Sequence, residues 1–145
     1  MKINPNIFII QAKYYEEISN GLLSGAQEKL KENDIVPKII SVPGILELPT
    51  ALHLVISSNN RIDGAVILGC AIKGETDHYE HVCRVSIDGV QKLSVEHNLP
   101  IGNGIITSPS KPLAIERSDP RNKNSGGKAA EACLNLINLK HHLNE

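Results

Sequence analysis

The chain lacks tryptophan, has a single phenylalanine and three tyrosines, and so must build any core from aliphatic side chains. It lacks a basic excess. Lys and Arg number 15 against 16 Asp and Glu, which leaves no surplus of cations to neutralise a run of phosphates and argues against nucleic-acid binding. Its three cysteines, Cys70, Cys83 and Cys133, are odd in number and form no C-x-x-C pair or zinc-finger spacing. Free thiols in a reducing compartment are expected, not a disulfide framework. No apolar run approaches the roughly 20 residues needed to cross a bilayer, and Met1 to Asn6 carry no basic patch leading into an apolar core. A soluble, cytoplasmic protein with no membrane partner is the expectation.

What is present is a 145-residue chain with 41% hydrophobic residues, enough for one buried core and one domain spanning 1–145. Short apolar runs alternate with longer segments of helical period. Ile7-Phe8-Ile9-Ile10 is continuously apolar, as a strand covered on both faces would be. Ile18, Leu22, Leu23, Ala26 and Leu30 then share one helical face, and Asn33-Asp34 ends it. Val36 to Val42 predicts a second strand stopped by Pro43-Gly44, and Leu46 to Ser58 a helix with Pro49 in its opening turn. Gly64 to Gly69 predicts a third strand, about His78 to Glu96 a long helix, and Ile101 to Ile106 a fourth strand. A short helix near Lys111 to Arg117, a polar loop from Ser118 to Ser125 and a helix from Gly127 complete the pattern. Strand and helix alternate four times with connections too long for hairpins. That order predicts an α/β fold, a four-stranded parallel sheet with helices on both faces and right-handed crossovers.

Ligands of open parallel sheets bind beyond the carboxyl ends of the strands, so the residues just after each strand carry the functional interest. After the third strand, Lys73-Gly74-Glu75-Thr76-Asp77-His78 leads into a helix. Free amides at a helix start favour an anion, and a glycine lets the backbone come close to it. A phosphate there would meet the amides of Glu75 and Thr76; alternatively Thr76 or Asp77 simply caps the helix. His78 has the residue type for a proton shuttle near neutral pH, or is an exposed histidine in a first helical turn. His81 lies one turn on, but the spacing supplies no third metal ligand. Tyr14 is a flat platform or a core-edge tyrosine, Glu47 a helix-start acid or a hydroxyl-binding carboxylate, and Arg117 a phosphate clamp or a surface cation.

Together these segments resemble the lumazine synthase family. Leu22-Leu23-Ser24-Gly25-Ala26 resembles its first-helix pattern, and Val42-Pro43-Gly44-Ile45-Leu46-Glu47-Leu48-Pro49 its V-P-G-x-x-E-[IL]-P signature. Leu68 to Tyr79 resembles L-G-x-x-I-[RK]-G-x-T-x-H-[YF], while Gly104-Ile105-Ile106-Thr107 and Ala114-Ile115-Glu116-Arg117 resemble the last two patterns. The resemblance runs from about Ile7 to Lys140. It implies a flavodoxin-like three-layer α/β/α sandwich that joins a ribitylamino-substituted aminouracil to 3,4-dihydroxy-2-butanone 4-phosphate. The products are 6,7-dimethyl-8-ribityllumazine, phosphate and water, formed with neither cofactor nor metal.

The same resemblance assigns roles residue by residue. Tyr14 would stack on the pyrimidine. The backbone of Ile45 and Leu46, with the Glu47 carboxylate, would hold the ring edge and ribityl hydroxyls. Cys70, Ala71 and Ile72 would give further backbone contacts. Glu75 and Thr76 would cradle the phosphate, and His78 would move protons. Arg117 would reach in from a neighbouring copy, because the family's sites lie between chains of a homo-oligomer. Three departures stand out. Asn103 occupies a position where the family often has an aromatic contributed across the interface. Ser125 replaces a common lysine, so Lys123 or Lys128 would have to substitute for it. The loop Asp119 to Asn124 lacks the glycine-rich sequence of icosahedral members, which points to pentamers or pairs of pentamers. Two other readings are a catalytically silent lumazine- or flavin-binding relative and a flavodoxin-like carrier or signalling domain. The second is disfavoured because Lys13 and Tyr14 stand where an acid pair or a Ser/Thr-rich phosphate loop would be needed.

Overall fold

The structure, a computed structural model, describes residues 4–75 and 78–145. Its strands are β1 (Ile7–Ala12), β2 (Lys38–Val42), β3 (Gly64–Ile72) and β4 (Ile101–Ser108). Its helices are α1 (Glu16–Lys31), α2 (Leu48–Ser57), α3 (Tyr79–His97), α4 (Lys111–Ser118) and α5 (Ser125–Leu143), with a 3-10 turn at Ile45–Glu47 ahead of α2. The strands form one parallel sheet in the order β2-β1-β3-β4.

Strand alternation divides the apolar residues between two faces. Ile7, Ile9, Val66, Leu68 and Ile72 point to one side, where they pack with Ile18, Leu22 and Leu30 of α1, Ala114 of α4, and Ala130, Cys133 and Ile137 of α5. Phe8, Ile10, Ala65 and Ile67 point to the other, against Leu48, Leu52 and Val55 of α2 and Cys83 and Val90 of α3. This is the expected three-layer α/β/α arrangement. Every residue of β1 and β3 is buried, which is why both read as unbroken apolar runs. With about 2 kcal/mol gained per fully buried aliphatic side chain, these central strands hold the layers together.

Element boundaries differ from the sequence expectation where backbone chemistry intervenes. Val36 is 94% exposed and lies outside β2. Pro37 has no N–H to give the ladder, and pairing with β1 starts at Phe8↔Lys38. β3 continues three residues past Gly69 because β4 pairs with it as far as Ile72↔Ser108. α5 starts at Ser125, two residues before Gly127. The Asn124 side chain accepts the Gly127 N–H at 3.1 Å and so caps the helix from outside it. Among the described residues no helix is long and apolar enough to cross a membrane.

Candidate active site

The chain leaves β1 for β2 on one side, then crosses to β3 on the other. The carboxyl ends of β1 and β3 therefore flank a crevice at the point where strand order reverses. The β1–β3 ladder stops at Gln11↔Leu68, whereas the β3–β4 ladder runs on to Ile72↔Ser108. The β1-facing backbone edge of Gly69 to Ile72 is thus left outside that ladder. Buried peptide groups need partners, and a planar ligand with a polar edge can supply them.

A cavity of about 320 Å³ opens there, lined by Tyr14, Tyr15, Gly44, Ile45, Leu46, Cys70, Ala71, Glu75 and Val82. Tyr14 is 68% exposed, and its ring meets the Tyr15 ring edge-on, with centroids 4.9 Å apart and planes at 78°. An exposed aromatic face braced in this way can receive a flat ring. Ile45 is buried and anchors the 3-10 turn, whereas Leu46 is half exposed. Just outside the lining, Glu47 Oε1 accepts the Gly44 N–H at 3.0 Å. The Glu47 carboxylate thereby fixes the Pro43-Gly44 turn, which fits the acid at a helix start that its sequence position allowed.

The loop after β3 is bound to β4 through Lys73 N–H donating to Ser108 O at 2.9 Å. Gly74 turns it with φ +86°, a region costly for any side chain. The Glu75 N–H donates to Ile72 O at 3.2 Å, so this amide already serves the turn and an anion would have to share it. Thr76 and Asp77, the two candidate caps, lie outside the described residues. His78 is not in the first helical turn. It precedes α3 as an exposed residue in left-handed conformation (φ 63°, ψ 33°) with its carbonyl accepting Val82 N–H at 2.9 Å. A non-glycine residue there carries a cost of order 1 kcal/mol. Ile72 is buried in the core between sheet and α1, so only its backbone can face a ligand.

A second pocket of about 380 Å³ lies along the outer edge of β4, the end of α4 and the start of α5. Asn103, Gly104, Thr107, Arg117, Ser125 and Lys128 are among its lining residues, and none of its lining side chains is acidic. Arg117 Nη1 donates to Thr107 O at 2.9 Å, which pins the guanidinium to the end of β4. Asn103 Oδ1 accepts the Ile105 N–H at 3.0 Å, so the carboxamide folds back along its own strand. Lys123 is exposed and absent from this lining; Lys128 is present in it.

The structure brings Tyr14, Ile45, Leu46, Cys70, Ala71 and Glu75 into one cavity, and Asn103, Arg117, Ser125 and Lys128 into another. It places Glu47, His78 and Lys123 in neither lining. Tyr15, Val82 and Thr107 were not anticipated. A doubled aromatic directly after β1 was the signal available for Tyr15.

All three cysteines are buried and free. Burial pushes the Cys70 thiol up to about 12, nearby Cys83 adds to the shift, and Arg117 only partly opposes it. Burial likewise pushes Cys133 up to about 12. Thiolate chemistry at Cys70 is therefore disfavoured. The native protein is expected to show no fast-reacting thiol with a disulfide reagent at about pH 8, where an unperturbed cysteine reacts readily. Rapid labelling of Cys70, mapped by mass spectrometry, would contradict the burial described.

Comparison with known proteins narrows what this pair of pockets belongs to. The 6,7-dimethyl-8-ribityllumazine synthase family model matches residues 4–141. A 6,7-dimethyl-8-ribityllumazine synthase of Paramagnetospirillum magneticum is 43% identical over 143 residues, covering 94% of this chain and 95% of that protein. One of Bartonella tribocorum is 42% identical over 140 residues, covering 97% and 93%. One of Methylorubrum populi is 37% identical over 142 residues, covering 95% and 84%. Both pockets and every loop that shapes them fall within the matched span. A parallel sheet in the order β2-β1-β3-β4, with the Pro43–Glu47 turn and the Lys73–Glu75 turn at its carboxyl end, thus meets a family match along nearly its whole length: the chain belongs to the 6,7-dimethyl-8-ribityllumazine synthase family.

Proposed function

We propose that this chain condenses 5-amino-6-(D-ribitylamino)uracil with 3,4-dihydroxy-2-butanone 4-phosphate to give 6,7-dimethyl-8-ribityllumazine, phosphate and water. The observation that carries this reading is the complementarity of the two pockets. One has an aromatic platform and free backbone edge but no cation. The other has two cations and no acid. A ring substrate suits the first and a phosphate the second. They become one site when β4 of a neighbouring copy closes over the first pocket, as in a pentamer-based ring.

In that site Tyr14 stacks on the pyrimidine, and the backbone edge of Cys70, Ala71 and Ile72 reads its polar rim. Ile45 and Leu46 hold the ring edge through their main chain, and the Glu47 carboxylate takes ribityl hydroxyls. Arg117 of the neighbouring copy binds the phosphate, assisted by the turn amides of Glu75 and Thr76. Lys128, which shares the Arg117 lining, is the second cation in place of the family lysine at Ser125. Asn103 presents a flat amide where other members offer an aromatic.

The amine attacks the ketone and a Schiff base forms with loss of water. Phosphate is then eliminated, and the second amine closes the ring with loss of another water. Each step needs a proton moved, and His78 at the start of α3 serves as the shuttle. Both substrates are intrinsically reactive, so alignment in the pocket supplies most of the acceleration. His78→Ala is accordingly expected to lower kcat by about 10²-fold, the low end for acid–base assistance, without abolishing turnover. Complete inactivity of a correctly assembled variant would count against this division. The whole reading is tested by mixing protein with both substrates and following lumazine absorbance. Product no faster than the spontaneous reaction would instead favour a silent lumazine-binding relative.

A further inference from the structure

Tyr15 lines the ring pocket and carries a polar atom that the assigned roles leave unused. The Tyr15 hydroxyl is buried yet meets no hydrogen-bond partner among the described residues. Two other buried side-chain oxygens share that condition among the described residues, Gln11 Oε1 and Ser86 Oγ, but neither Gln11 nor Ser86 lines this cavity. An unpaired buried hydroxyl carries a substantial desolvation cost, and native proteins leave few such groups. Where one survives in a ligand pocket, the ligand is the natural partner.

Local structure holds the residue in place. Tyr15 is the residue just before α1, and its carbonyl accepts Ser19 N–H at 2.8 Å. Ser19 Oγ in turn donates to Ala12 O at 3.0 Å, tying the helix start to the end of β1. The Tyr15 ring packs against the core on the α1 side and edge-on to Tyr14. Backbone and ring are thus both held, leaving the hydroxyl little freedom to find solvent. Burial, with the Glu75 carboxylate and Cys70 nearby, pushes the phenol above its usual range, so it stays protonated and acts as a donor.

Resting on the reading of the site given above, we infer that Tyr15 is a further substrate-binding residue. Its hydroxyl donates to an acceptor atom of the heterocycle that stacks on Tyr14, and so selects a ring with a carbonyl or unprotonated nitrogen at that edge. Proton transfer stays with His78, and the tyrosine contributes binding and orientation.

The probe is 6,7-dimethyl-8-ribityllumazine itself, titrated into wild type and Tyr15→Phe and followed by its own fluorescence. The expected result is a Kd about tenfold weaker for Tyr15→Phe, the size of one hydrogen bond to a buried partner, together with a raised KM for the pyrimidine and a kcat within about twofold. The thermal midpoint of the ligand-free variant should be unchanged or higher, because an orphaned hydroxyl has been removed. A structural role would lower that midpoint and leave the affinity alone, so that pattern overturns the inference. Equal affinities with equal midpoints also overturn it. A wild type that neither forms nor binds lumazine would remove the reading of the site; a wild type that does both beside an indistinguishable Tyr15→Phe removes the tyrosine alone.

Discussion

Arg117→Ala is expected to lower kcat/KM by about 10²–10³-fold, the usual loss when one preorganised donor to developing negative charge is removed. The size follows from how the side chain is held. One guanidinium nitrogen is already fixed on the Thr107 carbonyl at 2.9 Å, so the other donors point from a rigid base and need no ordering when phosphate arrives. Phosphate is both the anchor of one substrate and the leaving group, so the loss should fall on KM for the phosphate-bearing substrate and on kcat together. Arg117→Lys keeps the charge but cannot bridge strand and phosphate in the same geometry, and should recover only part of the activity. The thermal midpoint should move little, since Arg117 is half-buried and its hydrogen bond is to a strand end. Steady-state kinetics on both substrates separate these outcomes; a variant within twofold of wild type would remove Arg117 from the site.

The same substitution tests whether the two pockets meet between copies. Arg117→Ala damages the cationic pocket and Tyr14→Ala the aromatic one. If a site is built from the aromatic pocket of one copy and the cationic pocket of the next, co-assembling the two weak variants regenerates some intact sites. Activity of the mixture above the sum of its parts is expected after joint refolding. Strict additivity would place both pockets' functions within one chain.

How much of this was visible in the sequence depends on which backbone or side-chain physics decides each feature. β1 and β3 were legible because both are covered on two faces and read as continuous apolar runs. The helical faces of α1 and α5 were legible because their small and aliphatic residues recur at helical spacing. The start of β2 was misplaced because hydropathy weighs Val36 while the missing N–H of Pro37 decides the ladder. The left-handed turn at His78 was not visible, since a histidine can occupy either side of a helix start and only the path of the loop chooses. Several residues that line the two pockets were legible through their positions after strands and through resemblance to a family. Their grouping was not: the unequal lengths of the two ladders on β3 open the ring pocket, and ladder length is a property of pairing. The choice of Lys128 over Lys123 is of the same kind, since both flank Ser125 and only the path of α5 carries one of them into the Arg117 pocket.

The largest effect on stability is expected at Gly102, which lines neither pocket. A Cβ there would overlap the carbonyl oxygen of Ala129 and approach the Cβ of Cys133 at 3.2 Å. The obstacle on one side is helix backbone, which cannot rotate away as a side-chain end could. Gly102→Ala therefore has to push α5 off β4, and about 3 kcal/mol of destabilisation is expected, the upper part of the range for overpacking a core. For a chain of this size that corresponds to a fall in thermal midpoint of about 10 °C. The displacement also has a direction. α5 carries Ser125 and Lys128, which line the cationic pocket, and β4 carries Asn103 and Thr107 on its other wall. Prising the two apart widens that pocket, so activity should fall even below the melting transition, through a weaker hold on the phosphate-bearing substrate. Gly74→Ala is the matched control. Among the described residues nothing lies within 4 Å of a Cβ at Gly74, and its φ of +86° is what opposes a side chain. It should cost about 1 kcal/mol of backbone strain and leave α5 where it is. Thermal melts paired with KM values for the two variants distinguish wedge from strain: a Gly102→Ala protein as stable as Gly74→Ala would mean that β4 and α5 do not pack as closely as the glycine implies.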